Sequence, residues 1–316
     1  MTGTNGVKRQ GAGMADEAEM DIGQGEAKSV VSTEPQPGEL VKRHRISTRL
    51  WHWTNAIAII VLLMSGLSIF NAHPRLYWGS YGANPDTPWL EIGGEGTRGY
   101  LQIGETQITT TGVLGRWREP DGDTSTRAFP SWATIPGYYS LAMGRLWHFF
   151  FAWIFVLSGL AYWAWSFGNR HVQRDLTPKR KELSLKHIWH DISQHARLRF
   201  PTGAAALNYN ILQKLSYLIV LFVLLPLIVL TGLTMSPTMD AAWPWLLDLF
   251  GGRQSARSIH FIVAFLIGVF IVVHLVMVVL AGPFNEIRSM ITGKFRLPKE
   301  REPKLAPPET PAEETA

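Results

Sequence analysis

Two histidines, His260 and His274, stand 14 residues apart inside one charge-free apolar run, Ser258 to Asn285. At about 100° and 1.5 Å per residue, that interval returns to within roughly 40° of four full turns and climbs about 21 Å. A helix over this run presents both imidazoles on one face, one near each side of a bilayer. Neutral imidazole is a strong iron ligand, and an ionisable side chain at membrane depth needs a functional reason. The spacing predicts two haems stacked across a membrane, each taking one axial ligand from this helix.

Other elements must supply the opposite ligands. Three further runs lack Asp, Glu, Lys and Arg: Leu50–Ala72, Leu146–Asn169 and Leu215–Met239. Each exceeds the roughly 20 residues that cross a hydrocarbon core. His52 lies near the start of the first and His148 near the start of the second. Four spans and four intramembrane histidines make two bis-histidine sites. The expected architecture is an all-α membrane protein: a four-helix transmembrane bundle with a long periplasmic loop, 73–142, between helices 1 and 2. Spans are expected near 50–72, 146–169, 213–237 and 258–282, within one domain over 39–302. Residues 1–38, rich in Gly, Glu, Ser and Pro, and 303–316, rich in Pro and Glu, read as disordered cytoplasmic tails.

The chain of 316 residues contains no cysteine. That excludes disulfides, iron–sulfur clusters, thiolate catalysis and thioether-linked haem. Any haem is therefore b-type, held by coordination and packing alone. Tryptophans such as Trp51, Trp53, Trp78, Trp89, Trp147, Trp163 and Trp165 cluster near span ends, as interfacial belts do. The excess of basic residues carries topological meaning and does not point to nucleic acid.

Basic residues set the orientation. Lys42, Arg43, Arg45 and Arg49 precede the first span, nine Lys and Arg fill the connection between the second and third, and Arg288, Lys294, Arg296, Lys299, Arg301 and Lys304 follow the fourth. The other two connections are sparse in them. Both termini are expected in the cytoplasm, with the chain multi-pass in a bacterial inner membrane. Partners must share a depth, so His52 pairs with His274 on the cytoplasmic side and His148 with His260 on the periplasmic side. A single membrane histidine is often just a packed polar residue; four at two matched depths are not readily explained that way.

A local repeat surrounds the ligands. Arg49-Leu50-Trp51-His52 and Arg145-Leu146-Trp147-His148 are the same tetrapeptide, and Arg257-Ser258-Ile259-His260 shares its ends. Each arginine sits one turn toward water from its histidine, where a guanidinium can pair with a haem propionate; boundary marking alone is the plainer explanation. Gly66 and Gly159 fall on the faces of His52 and His148 at the level of the other haem. There a missing side chain admits a macrocycle, or simply a neighbouring helix.

These features resemble the dihaem cytochrome b subunits of membrane formate dehydrogenases, nickel–iron hydrogenases and thiosulfate reductases, and bacterial cytochromes b561 of the same superfamily. The likeness covers roughly 42–72 and 143–298. Tyr209-Asn210-Ile211-Leu212-Gln213-Lys214 resembles the Tyr-Asn-x-x-Gln-Lys segment of formate-dehydrogenase-type subunits, and the resemblance implies a quinone site beside the cytoplasmic haem. Asn210 would hydrogen-bond a quinone carbonyl, with Gln213 one turn away and Lys214 at the interface; a helix cap would equally account for Asn210. The first connection is much longer than in formate-dehydrogenase-type subunits and partly alternates over Leu101–Thr109 like a short hairpin. That length fits a docking surface or a cap over the outer haem, and it favours a molybdopterin oxidoreductase of the thiosulfate-reductase type over formate dehydrogenase.

Leu183, Leu185, Ile188, Trp189 and Ile192 alternate with Lys186, His187, His190 and His195 as an amphipathic surface helix does. His187 and His190 fit a solvated cationic face better than a metal site, and His195 is a candidate proton relay. The function expected is that of an electron-transfer subunit. It would carry electrons between a periplasmic oxidoreductase subunit and the quinone pool through two b haems. The alternative is a stand-alone cytochrome b561-type superoxide oxidase, with Arg145 and Arg257 as its basic entrance. A haem-free transporter would need broken spans and midplane charges, which the sequence lacks.

Overall fold

The computed structural model describes residues 36, 38–83, 85–119, 121–170, 172–180, 182–197 and 210–298. Both expected tails, apart from Gln36 and Gly38, lie outside the described residues, as do Tyr209 and the side chain of His195. Among the described residues four helical stretches are long and apolar enough to cross a membrane. They are α1 (Ile46–Phe70), α2 (Leu141–Gly168), a third span assembled from α4 (Ile211–Ile219) and α5 (Leu225–Thr234), and the long helix α8 (Arg253–Ala281), with the shorter helices α3 (Leu185–Ala196), α6 (Pro237–Ala242) and α7 (Pro244–Leu249) in the connections. Each begins two to five residues before the expected span. A charge-free window stops at Arg49, Arg145 or Arg257, whereas the helical backbone runs through them and lets the long side chains reach outward.

The third span is not a regular helix. Val220–Leu224 form a π turn between α4 and α5, and Pro226 follows at once in the first turn of α5. Proline lacks the N–H for an i→i−4 bond and clashes with the preceding turn, and a π turn relieves both without leaving the membrane. Where the spans meet, the buried residues include small hydroxyls: Ser65, Ser68, Ser166, Thr231, Thr234 and Ser258. Their size permits close helix approach. Large apolar residues on all four spans, Ile57, Leu157, Val223 and Val272 among them, stay exposed for lipid.

The two flanks of the bundle are clasped together. Strand β1 (Leu40–Lys42) pairs antiparallel with a strand at the far end of the chain, Lys294–Arg296. Helix α9 (Pro283–Thr292) brings that far strand round, starting at a left-handed Gly282. Arg43 adds an ion pair to Glu286 at 3.2 Å, and Trp53 donates to the Met290 carbonyl at 3.1 Å. With four spans between them, the chain before α1 and the chain after α8 lie on one side.

The connection from α1 to α2, expected as a loop with a hairpin, contains a four-stranded antiparallel sheet. Its strands are β2 (Arg75–Leu76), β3 (Leu90–Glu95), β4 (Arg98–Ile103) and β5 (Thr106–Thr109), in that order. The expected hairpin is β4–β5, turning at Gly104 with φ 57°. A two-stranded ribbon, β6 (Trp117–Arg118) and β7 (Thr124–Ser125), lies beside it. Gly115, at φ 76°, admits the sheet backbone so closely that a Cβ would stand 2.0 Å from the Gly93 oxygen.

This sheet is seated on the bundle through α8. The carbonyl of Gly79 accepts from the N–H groups of Gln254 and Ser255, both at 3.1 Å, which occupies two otherwise unpaired donors of the α8 N-terminus. Ser258 donates to the Tyr77 carbonyl at 2.6 Å and accepts from the Trp89 indole at 2.9 Å. Phe261 packs with Phe70, Leu76, Leu90, Ile92 and Ala128 in a shared apolar core. Ser258→Val should leave a buried carbonyl and a buried indole N–H unpaired, at a cost of about 1–3 kcal/mol. The expected result is faster limited proteolysis within 71–140 than in the wild type, with the four spans remaining resistant.

Candidate cofactor site

Helices α1 and α8 carry His52 and His274, whose ring centres stand 6.3 Å apart with planes inclined by 60°. Helices α2 and α8 carry His148 and His260, again 6.3 Å apart and 60° inclined. Residues 14 apart on α8 thus each meet one histidine from another span, and the pairs lie at different levels along it. All four rings are half-buried.

The ring separation tests what such a pair can hold. A metal–imidazole bond of about 2.0 Å plus roughly 1.1 Å from that nitrogen to the ring centre, taken on both sides, gives about 6.2 Å. Both pairs match a six-coordinate iron held between two imidazoles, and neither is close enough for the rings to hydrogen-bond each other directly. Among the described residues no cluster of three or more His, Asp or Glu side chains is set to hold a bare metal ion. His187 and His190 on α3 (Leu185–Ala196) are exposed, so they belong to no enclosed site.

The surroundings of His148 and His260 are built alike. Ser65 Oγ lies 3.1 Å from His148 Nδ1, and Thr231 Oγ1 lies 3.1 Å from His260 Nδ1. The next residue is glycine in both cases. A Cβ on Gly66 would meet His148 Cε1 at 3.5 Å, and one on Gly232 would meet His260 Cε1 at 3.4 Å. The two cradles belong to a repeat, Leu62-Leu63-Met64-Ser65-Gly66-Leu67-Ser68 in α1 and Ile228-Val229-Leu230-Thr231-Gly232-Leu233-Thr234 in α5. Gly66 lies beside the His148 ring, which a side chain at that position would meet. Among the described residues, and leaving aside its own helix turn, nothing lies within 4 Å of a Cβ built on Gly159. Sequence reasoning passed over Ser65, Thr231 and Gly232; the repeated small-hydroxyl–glycine pair was the available signal.

The other pair sits in an aromatic and cationic setting. Phe270 stacks on His274 with centres 6.0 Å apart, and Trp51 stacks on Tyr162 at 4.1 Å. His44, just outside α1, is held down to about 4 by burial and then by the charges of Arg43, His52 and Arg49. Arg49 itself donates to the Ile291 carbonyl.

Of the other predicted arginines, Arg257 donates to the carbonyls of His73 and Arg75, fastening the first connection to α8. Arg145 is exposed, with its guanidinium 5.6 Å from the Phe149 ring centre. Asn210 and Gln213 form a capping box at the start of α4. The Asn210 side chain accepts from Gln213 N–H at 2.9 Å, and Gln213 Oε1 accepts from Asn210 N–H at 3.2 Å. Lys214 is buried and ion-paired with Glu182 at 2.9 Å, and its ammonium holds that carboxyl below the usual carboxylate range.

Known proteins resemble this chain over most of its length. A putative protein-methionine-sulfoxide reductase subunit YedZ1 from Azospira oryzae is 25% identical, across 81% of this chain and 98% of its own. A probable Ni/Fe-hydrogenase B-type cytochrome subunit from Azotobacter vinelandii is 23% identical, across 92% of this chain and the whole of its own. No solved structure matches. With residues 43–293, all four spans and both histidine pairs included, matching the family model, the chain belongs to the prokaryotic cytochrome b561 family of membrane haem proteins.

Proposed function

We propose that the chain is the membrane-anchoring electron-transfer subunit of an oxidoreductase, linking a periplasmic partner subunit to the quinone pool through two b haems. The observation that carries this is the pair of histidine sites with equal 6.3 Å separations at two levels of one bundle. Bound between such rings, haem b supplies one-electron transfer without an open coordination position for oxygen. His148 and His260 would hold the haem on the side of the folded first connection, and His52 and His274 the haem on the side of the clasped flanks. The basic residues around those flanks support a cytoplasmic position for them in a bacterial cell, with the sheet in the periplasm. Both relatives are named as subunits of larger assemblies, and the sheet of 71–140 offers a partner a shaped surface. A molybdopterin-type oxidoreductase fits that position.

For propionates, Arg145 is the exposed candidate. Arg49 and Arg257 have guanidinium nitrogens bound to backbone carbonyls and would contribute through those that remain. A superoxide oxidase would need Arg257 as part of an open basic entrance. Its engagement with His73 and Arg75 makes that reading the weaker one.

The quinone site belongs beside His52 and His274, near the start of α4, where Asn210 and Gln213 meet the basic connection. Purified protein should give a pyridine haemochrome ratio of two haem b per chain, reoxidised by a soluble quinone analogue. A colourless preparation, or one haem per chain, overturns the proposal. Asn210→Ser isolates the amide, because serine caps a helix about as well as asparagine. It should keep both haems and slow reoxidation. Unchanged reoxidation would reduce Asn210 to a cap and move the quinone elsewhere.

A further inference from the structure

We infer that Ser65 and Thr231 fix which nitrogen of His148 and His260 carries the proton and thereby lower the reduction potential of the haem between these ligands, making it the lower of two. This rests on the ligand assignment proposed above. A serine hydroxyl has one proton. Ser65 donates its proton to the Leu62 carbonyl at 3.2 Å, so the 3.1 Å contact to His148 is filled by hydrogen on Nδ1. Thr231 donates to the Leu227 carbonyl at 2.7 Å, with the Ile228 carbonyl at 3.2 Å, so His260 must donate from Nδ1 across its own 3.1 Å contact. Both Nε2 lone pairs are left for iron.

The same bonds act on the electrons. An Nδ1–H drawn toward an oxygen that is itself polarised by donating makes the imidazole a more basic ligand. A more basic axial ligand favours ferric iron over ferrous and moves the potential down. Here two such ligands act on one iron.

The opposite pair is constructed differently. Among the described residues, His52 Nδ1 is buried with no hydrogen-bond partner. An imidazole without that bond is the less basic axial ligand, and this difference orders the two potentials.

The test is a spectroelectrochemical titration of detergent-purified holoprotein. The wild type should resolve into two one-electron components. Ser65→Ala and Thr231→Val should each move only the lower one upward. The expected change is several-fold to about tenfold in the ferrous-to-ferric ratio at a fixed ambient potential, tenfold being about 59 mV for one electron. Thr231→Ser, which keeps the hydroxyl, should titrate as the wild type. Ferric electron paramagnetic resonance gives a second readout: one low-spin signal shifts toward neutral-imidazole values and the other stays. Unmoved midpoints in a double variant that still binds two haems would overturn the inference, as would movement of the upper component alone. Failure of the ligand assignment looks different, because His148→Ala would then leave both haems bound.

Discussion

His260→Ala is expected to lower the haem b content of the purified protein from the proposed two per chain to one, and His148→Ala to remove the same redox component. The expectation follows from the way the cofactor must be held. Without cysteine there is no covalent attachment, so retention depends on two axial bonds and the packing around them. Taking one imidazole from a pair 6.3 Å across would remove one of the two side chains that would hold the haem there. His274→Ala and His52→Ala should together define the other component. Pyridine haemochrome analysis counts the haems and a redox titration says which one has gone. If His52→Ala and His148→Ala abolished the same component, the pairing would be wrong even with the count of two intact.

Gly232→Leu should have an effect almost as large without touching a ligand. A Cβ at this position reaches ordinary contact with the His260 ring, 3.4 Å from Cε1, so Gly232→Ala is tolerated. The further carbons of leucine have only the imidazole to move, and overpacking of this kind costs about 1–3 kcal/mol. Because the ring must stay aligned with His148, that strain is expected to appear as loss of one haem, with the His52–His274 component unaffected. Gly66→Leu should behave alike through His148, where the corresponding distance is 3.5 Å. Normal haem content in both leucine variants would show that the rings have room to retreat.

The sequence exposed some of this arrangement more readily than the rest. A histidine inside an apolar run is conspicuous because so few groups there ionise, and the helical period places His260 and His274 on one face without knowledge of their neighbours. Ser65, Thr231 and Gly232 are the opposite case. Small hydroxyls and glycines are common in membrane helices for packing alone, so they stand out only once a ring is seen against them. The clasp of β1 with Lys294–Arg296 involves three residues on each side, too short for any alternation to register, and its partners are separated by nearly the whole chain. In the first connection the β4–β5 hairpin was visible through its alternation and Gly104. The remaining strands were hidden by glycines such as Gly93, Gly94 and Gly99, which give no inward–outward pattern yet let two backbone layers touch. The irregularity of the third span had one local sign, Pro226. Its resolution as a π turn depends on backbone geometry that composition does not encode.

The clasp also imposes an order on biosynthesis. Arg43 and Glu286 are 243 residues apart, and the strand facing β1 follows later still. While the ribosome is making the first three helices, the chain around Leu40–Lys42 has no partner, and the neighbourhood of His52 stays open on that side. Only when the last helix has been threaded and Lys294–Arg296 have emerged can the two flanks be stitched together. His148 must likewise wait for His260, but His52 waits longest, first for His274 and then for the clasp. Every residue that frames the sheet-side pair is therefore synthesised before the last of those that frame its counterpart.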